Sequence, residues 1–229
     1  MIKILVSDPL ADEGLKILKE VKEFHVDVKT ELKPEELKTA IRDYDALLVR
    51  SATKVTRDII NAAEKLKVIG RAGVGLDNVD LDAATQKGII VMNTPGGNTV
   101  STAEHAMSMI LSLSRNIPQA NASTRKGEWK RSKFMGVELY GKALGIIGFG
   151  RIGKEVAKRA LSFGMRVLAY DPFLSRDVAE SLGIKVVELK ELFEQSDYIT
   201  VHTPLTDETK HIISTAQFAL MKKGVRIIN

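Results

Sequence analysis

Gly148-Phe149-Gly150-Arg151-Ile152-Gly153 is a G-x-G-x-x-G run, and an acid, Asp171, stands about twenty residues further on. Alone, such a run is often only a turn. Here it follows an apolar stretch, 144–147, opens a helical pattern over 151–163, and is answered by a second apolar stretch, 167–170, that ends at Asp171. That strand–turn–helix–strand context is what a dinucleotide requires. Gly148 permits the tight turn, Gly150 lets the backbone approach a pyrophosphate, and Gly153 lets helix and strand pack closely. The N–H groups of Arg151 and Ile152, at the start of the helix, would face the diphosphate. Asp171 would accept hydrogen bonds from the ribose hydroxyls, and its charge would repel a 2′-phosphate, so NAD is expected over NADP. His202-Thr203-Pro204 follows another apolar run at the carboxyl edge, where ligands of such sheets bind. We read His202 as a wall residue and not a base, with Thr203 lining the cofactor cleft beside a turn stiffened by Pro204.

A second group of residues suits an anion. Arg50-Ser51 ends one apolar run, placing a fixed positive charge and a hydroxyl together. Arg71 ends the next, and Gly73-Val74-Gly75 behind it forms a turn whose N–H groups could face a ligand. A single Arg at a strand end is usually a surface residue. Two such sites at equivalent ends favour carboxylate or phosphate binding.

These turns need sheets to carry them. Strands are expected over 2–6, 24–28, 46–49, 68–70 and 89–92, with helices over 12–20, 34–41, 56–63 and 80–86 between them. Alternation of this kind argues for a parallel sheet flanked by helices. Asp80 is a helix cap and Gly88 a helix stop. Asn93-Thr94-Pro95-Gly96-Gly97-Asn98 has hinge composition, and Asn98 and Ser101 are candidate caps of the next helix, 101–114. That helix is apolar over most of its surface, which suits burial between domains or against a partner subunit; Glu104 and His105 on it read as packing or interface residues. The segment 117–140 has weak periodicity and reads as an arm or extended connection. A second alternating set follows, with strands over 143–148, 166–170, 185–187, 198–201 and 225–228 and helices over 151–163, 177–182, 189–195 and 215–221. The last strand is apolar where the sequence stops, and a full dinucleotide fold has six strands, so further residues are expected beyond Asn229.

Composition narrows the classes. The chain has 229 residues, 44% hydrophobic and 28% charged, which is ordinary for a globular protein. With no Cys and four His, disulfides, thiolate metal sites and Cys nucleophiles are excluded and no metal site is expected. The net charge of +5 is spread among interleaved acids and bases. It reads as attraction for an anionic small molecule, with neither nucleic acid nor membrane as partner. The N-terminus runs straight into a strand without a secretory signal, so the cytoplasm is expected.

Residues 93–98, the 148–153 fingerprint, Asp171-Pro172 and Val201-His202-Thr203-Pro204-Leu205 together resemble the D-isomer-specific 2-hydroxyacid dehydrogenases. Lys133-Phe134-Met135-Gly136-Val137-Glu138-Leu139, with Arg50-Ser51-Ala52-Thr53, is more specifically similar to the branch acting on 3-phosphoglycerate. The resemblance runs from Ile4 to Asn229. It implies two doubly wound parallel-sheet α/β domains, C-terminally incomplete: most of a flavodoxin-like substrate domain over 1–95 and a Rossmann NAD-binding domain over 96–229. It implies substrate near Arg50, Ser51, Gly73, Val74 and Gly75, and NAD against Arg151, Ile152, Asp171 and Thr203. The reaction implied is NAD-dependent oxidation of 3-phospho-D-glycerate to 3-phosphohydroxypyruvate, the first step of serine synthesis, in a homodimer or homotetramer paired through residues 99–135. The family's catalytic Arg, Glu and His have no counterpart here: His25, His105, His202 and His211 do not fit its motif. No catalytic residue is therefore assigned, and the chain as written is expected to turn over poorly or not at all. Alternatives are a relative acting on glyoxylate, hydroxypyruvate or lactate, and a non-catalytic NAD-sensing module like the corepressors similar to this family.

Overall fold

The computed structural model describes residues 1–229 and divides into two units, Met1–Asn98 and Thr99–Asn229. In the first, the order is β1 (Ile2–Val6), α1 (Asp12–Lys19), β2 (Phe24–Val28), α2 (Pro34–Ala40), β3 (Ala46–Val49), α3 (Arg57–Ala62), β4 (Val68–Arg71), α4 (Leu81–Gln86) and β5 (Ile90–Asn93). The five strands are parallel and lie in the order β2-β1-β3-β4-β5, the flavodoxin-like arrangement. β3 is the sheet's centre with β1 beside it: Leu5, Val6, Leu47 and Val49 are fully buried, as expected where helices cover both faces. Asp80 caps α4 by accepting from the Ala83 N–H at 2.8 Å, and Gly88 stops the chain after it at φ +69°. Both match the reading of the sequence.

The second unit opens with α5 (Thr99–Arg115) and α6 (Ile117–Arg125), then a 3-10 turn at Arg131–Phe134. It continues through β6 (Ala143–Ile147), α7 (Arg151–Ser162), β7 (Arg166–Tyr170), α8 (Arg176–Ser181), β8 (Ile184–Val186), α9 (Leu189–Gln195), β9 (Tyr198–Val201), α10 (Thr215–Phe218) and β10 (Arg226–Ile228). The strands are again parallel, in the order β10-β9-β6-β7-β8, which is the Rossmann order for five strands. β6 is buried along its whole length. Tyr198, fully buried on β9, joins the Ser114 hydroxyl of α5 at 2.7 Å and so ties the long helix to the sheet.

Segment 117–140 departs from expectation, because its first part is α6 and not an extended arm. Pro118 sits in that helix's first turn, where its missing N–H costs nothing, but only Ser123 is buried, so no apolar stripe betrays the helix. α10 is also shorter than expected, ending at Phe218. No helix is long and apolar enough to cross a membrane.

Candidate functional site: two sets of turns at strand carboxyl ends

β6 delivers Gly148 at its carboxyl end with φ +90°, a conformation L side chains rarely adopt. A Cβ there would stand 2.8 Å from the carbonyl carbon and oxygen of His202 and 2.9 Å from Thr203 Cγ2. The turn after β9 therefore closes on the turn after β6, and glycine is needed where they touch. Gly153, one turn into α7, would drive a Cβ into the Gly148 carbonyl oxygen, so it provides close helix–turn packing. Gly150 differs, since a Cβ on it would meet nothing within 4 Å. No side chain caps the amino end of α7. An open cradle thus lies beside unsatisfied N–H groups, with the positive end of the helix dipole behind them, which fits a diphosphate.

Asp171 completes the turn. Its Oδ2 accepts from the buried Phe149 N–H at 2.7 Å, and its Oδ1 from the Phe173 N–H at 2.8 Å. The carboxylate is aimed at the glycine turn, and each oxygen keeps a second lone pair for another donor. His202 is half-buried. Its Nε2 lies 2.9 Å from Thr200 Oγ1, and burial lowers its pKa, which favours the neutral ring. The Thr200 partner was not evident from sequence, although period 2 along β9 puts residues 200 and 202 on one side.

In the first unit, the Arg50–Thr53 turn after β3 is held from two sides. Asp8, at the end of β1 and only 3% exposed, accepts from the Arg50 N–H at 2.5 Å, the Thr53 N–H at 3.2 Å and the Thr53 hydroxyl at 2.7 Å. Asn78 Nδ2 donates to the carbonyls of Arg50 at 2.6 Å and Thr53 at 2.7 Å. The Arg50 guanidinium meets only the Pro9 carbonyl, at 3.4 Å, and has no carboxylate partner; Arg50 and Ser51 are exposed. Sequence reading missed Asp8 and Asn78. The available signal was the Asp-Pro pair at a strand end, which occurs here as Asp8-Pro9 and again as Asp171-Pro172.

The turn after β4 needs two corrections. The Gly73 N–H donates to the Arg71 carbonyl at 2.9 Å and is not free for a ligand, whereas those of Val74 and Gly75 have no acceptor within the chain. Arg71, read as a second strand-end cation, is folded beneath its own turn. Its guanidinium fills the space where a Gly73 Cβ would lie, and its Nε is buried without a partner. Asn93 and Thr94 at the end of β5 bind the carbonyls of Val74 and Gly73 at 2.7 and 2.9 Å, which fixes the turn. Glu104 of α5 pairs with Arg159 of α7 at 3.5 Å, an ion pair on an exposed face.

A five-stranded Rossmann sheet with an open glycine turn, an uncapped helix end and an acid on the next strand defines a dinucleotide-binding protein. A second doubly wound unit, with Arg50 at the end of one strand and without a carboxylate partner, precedes it in the chain. The chain belongs to the D-isomer-specific 2-hydroxyacid dehydrogenases: the model of that family's NAD-binding domain matches residues 107–229. Its cofactor is NAD. It is 56% identical over its whole length to the D-3-phosphoglycerate dehydrogenase of Methanocaldococcus jannaschii, covering 44% of that protein. To the human D-3-phosphoglycerate dehydrogenase it is 54% identical over 99% of the chain, covering 42%. The chain thus spans less than half the length of these curated relatives. Among solved structures, the D-lactate dehydrogenase of Aquifex aeolicus complexed with NAD and lactic acid aligns at TM-score 0.88 and 32% identity, over 99% of this chain and 68% of that one.

Proposed function

We propose that the protein carrying these residues oxidises 3-phospho-D-glycerate to 3-phosphohydroxypyruvate with NAD, the first step of serine synthesis, in the cytoplasm. In this reading the N–H groups of Arg151 and Ile152, opened by Gly150, receive the pyrophosphate, Gly148 and Gly153 shape the turn, and Asp171 grips the adenosine ribose. His202, Thr203 and Pro204 wall the cofactor. Met1–Asn98 is the substrate unit, where Arg50, Ser51 and the Gly73-Val74-Gly75 turn receive the anionic groups, with Val74 and Gly75 as the N–H donors. NAD when bound supplies the hydride acceptor; what these residues do is bind, orient and neutralise charge. None of the 229 residues is assigned as the base. The carrying observation is the Arg50 turn, a cation with no carboxylate partner whose backbone is fixed by Asp8 and Asn78. Whole-chain identity to phosphoglycerate dehydrogenases supports the same substrate. Exposed Val100, Met109 and Leu113 on α5, with Trp129 and Met135 beyond it, support pairing of subunits as a homodimer or homotetramer through 99–135.

NADH formation by the whole protein tests this, with 3-phosphoglycerate and D-lactate as competing substrates. The phosphorylated substrate should be preferred. Arg50→Gln should raise KM for phosphoglycerate by roughly 10- to 100-fold, one charge-assisted bond's worth, and change D-lactate far less. Preference for D-lactate would mean a different hydroxyacid. NAD binding without turnover of any hydroxyacid would mean a non-catalytic NAD-sensing module.

A further inference from the structure

At the amino edge of the second sheet, the opposite end from the glycine turn, a cavity of about 190 Å³ is lined by Lys142, Lys222, Lys223, Arg226, Asp197 and Tyr198 among others. Four cations face one carboxylate. Asp197 is already spent: its Oδ2 accepts from the Ala143 N–H at 2.8 Å and its Oδ1 holds Lys222 at 3.0 Å. Burial works against its charge, yet the Ala143 N–H, Lys222 and the more distant Lys142 hold its pKa below the ordinary value. Lys142, Lys223 and Arg226 are left with no ion pair in the chain.

Arg226 is the informative member. It is half-buried, its guanidinium lies 5.3 Å from the centre of the Tyr198 ring, and that guanidinium makes no hydrogen bond or ion pair within the chain. The ring beneath it cannot swing away, because Tyr198 is fully buried and its hydroxyl is fixed to Ser114. A guanidinium over the face of a fixed aromatic ring, with its donors unspent beside a cavity it lines, suits an oxyanion. The space exceeds that of a few waters, enough for a tetrahedral anion. A structural ion network would instead pair these cations with acids, and only one acid is present.

We propose that this cavity is a binding site for inorganic phosphate, held by Arg226, Lys142 and Lys223. It is separate from the dinucleotide turn and from the Arg50 turn, and it does not depend on the activity proposed above. β9 carries Tyr198 at one end and leads to His202 and Thr203 at the other, so an occupant would brace the strand that walls the cofactor.

Calorimetric titration with inorganic phosphate, at saturating NAD and in an Arg50→Gln background, removes the two other anion sites from view. One phosphate should still bind. Lys142→Gln/Lys223→Gln, both exposed positions, should weaken it by roughly tenfold or more, as should Arg226→Gln alone. NAD affinity measured without phosphate should stay at the parental value in the Lys double variant, which shows that the fold is intact. No binding in the Arg50→Gln background, or binding that the Lys double variant leaves unchanged, overturns the proposal.

Discussion

Asp171 has two duties that a pair of substitutions can separate. It anchors the turn by accepting the Phe149 and Phe173 N–H groups at 2.7 and 2.8 Å, and in our reading its remaining lone pairs take a ribose hydroxyl. Phe149 is 3% exposed, so removing the carboxylate strands a buried donor, which costs about 1–3 kcal/mol of unfolding free energy. Loss of one hydrogen bond from a ribose hydroxyl to a charged acceptor costs about 1.5–3 kcal/mol of binding, roughly a 10- to 150-fold rise in Kd for NAD. Asp171→Ala should show both losses. Asp171→Asn keeps one acceptor oxygen, so it should lose less stability, yet it removes the charge that repels a 2′-phosphate and should narrow the gap between NAD and NADP as much as Ala does. Chemical denaturation gives the first quantity, and calorimetry with each cofactor gives the second. Unchanged NAD affinity in both variants would refute the reasoning, as would a parental protein that binds NADP as tightly as NAD.

Asp8→Ala should strand the Arg50 and Thr53 N–H groups and cost about 2–5 kcal/mol in a denaturation titration, with KM for the substrate rising more than kcat falls; parental stability would show that the turn holds itself. Gly153→Ala places a methyl group against the Gly148 carbonyl, where neither backbone can yield cheaply. We expect a loss of about 1–3 kcal/mol together with weaker NAD binding, read by denaturation and calorimetry. Burial keeps His202 below the ordinary histidine pKa of 6.5, so as pH falls the unfolded chain takes up the proton first. Its contribution is therefore complete above the ordinary value and is lost as pH falls through it toward the lower folded pKa. His202→Asn should flatten the melting temperature between about pH 8 and 5 relative to the parent, and an unchanged slope would place the proton uptake elsewhere.

Elements whose burial runs along the chain were legible in the sequence. β3 and β6 are apolar on both faces, β1 is apolar and buried from Ile4 to Val6, and α7 follows its glycines with buried Val156, Ala157 and Ala160 on one stripe. α6 was not legible, because with one buried residue its polar surface looks the same whether helical or extended. The dinucleotide turn was legible because its partners are local and follow a fixed spacing. The anion turns were legible only as positions. That Gly73 spends its N–H on Arg71, and that Arg71 lies beneath the turn and not outside it, depends on backbone torsions that composition does not encode.

The two least legible residues, Asp8 and Asn78, act by a device the legible half of the chain also uses. β1 pairs with β3 and β7 with β6, each in parallel, so Asp8, two residues past β1, and Asp171, one residue past β7, each lie beside the turn leaving the neighbouring strand. Asp8 takes the first N–H of the Arg50 turn, and Asp171 takes the Phe149 N–H of the glycine turn. In both units Pro follows the acid and removes the next competing donor. A carboxylate so placed fixes a loop whose other groups must stay unspent for a ligand. A rigid turn with free donors needs its restraint from the side, and parallel pairing supplies a neighbouring strand end at the required distance. Asp171 was noticed through a known spacing from the glycines; Asp8 has no such spacing, and only the pairing of β1 with β3 reveals that it does the same work.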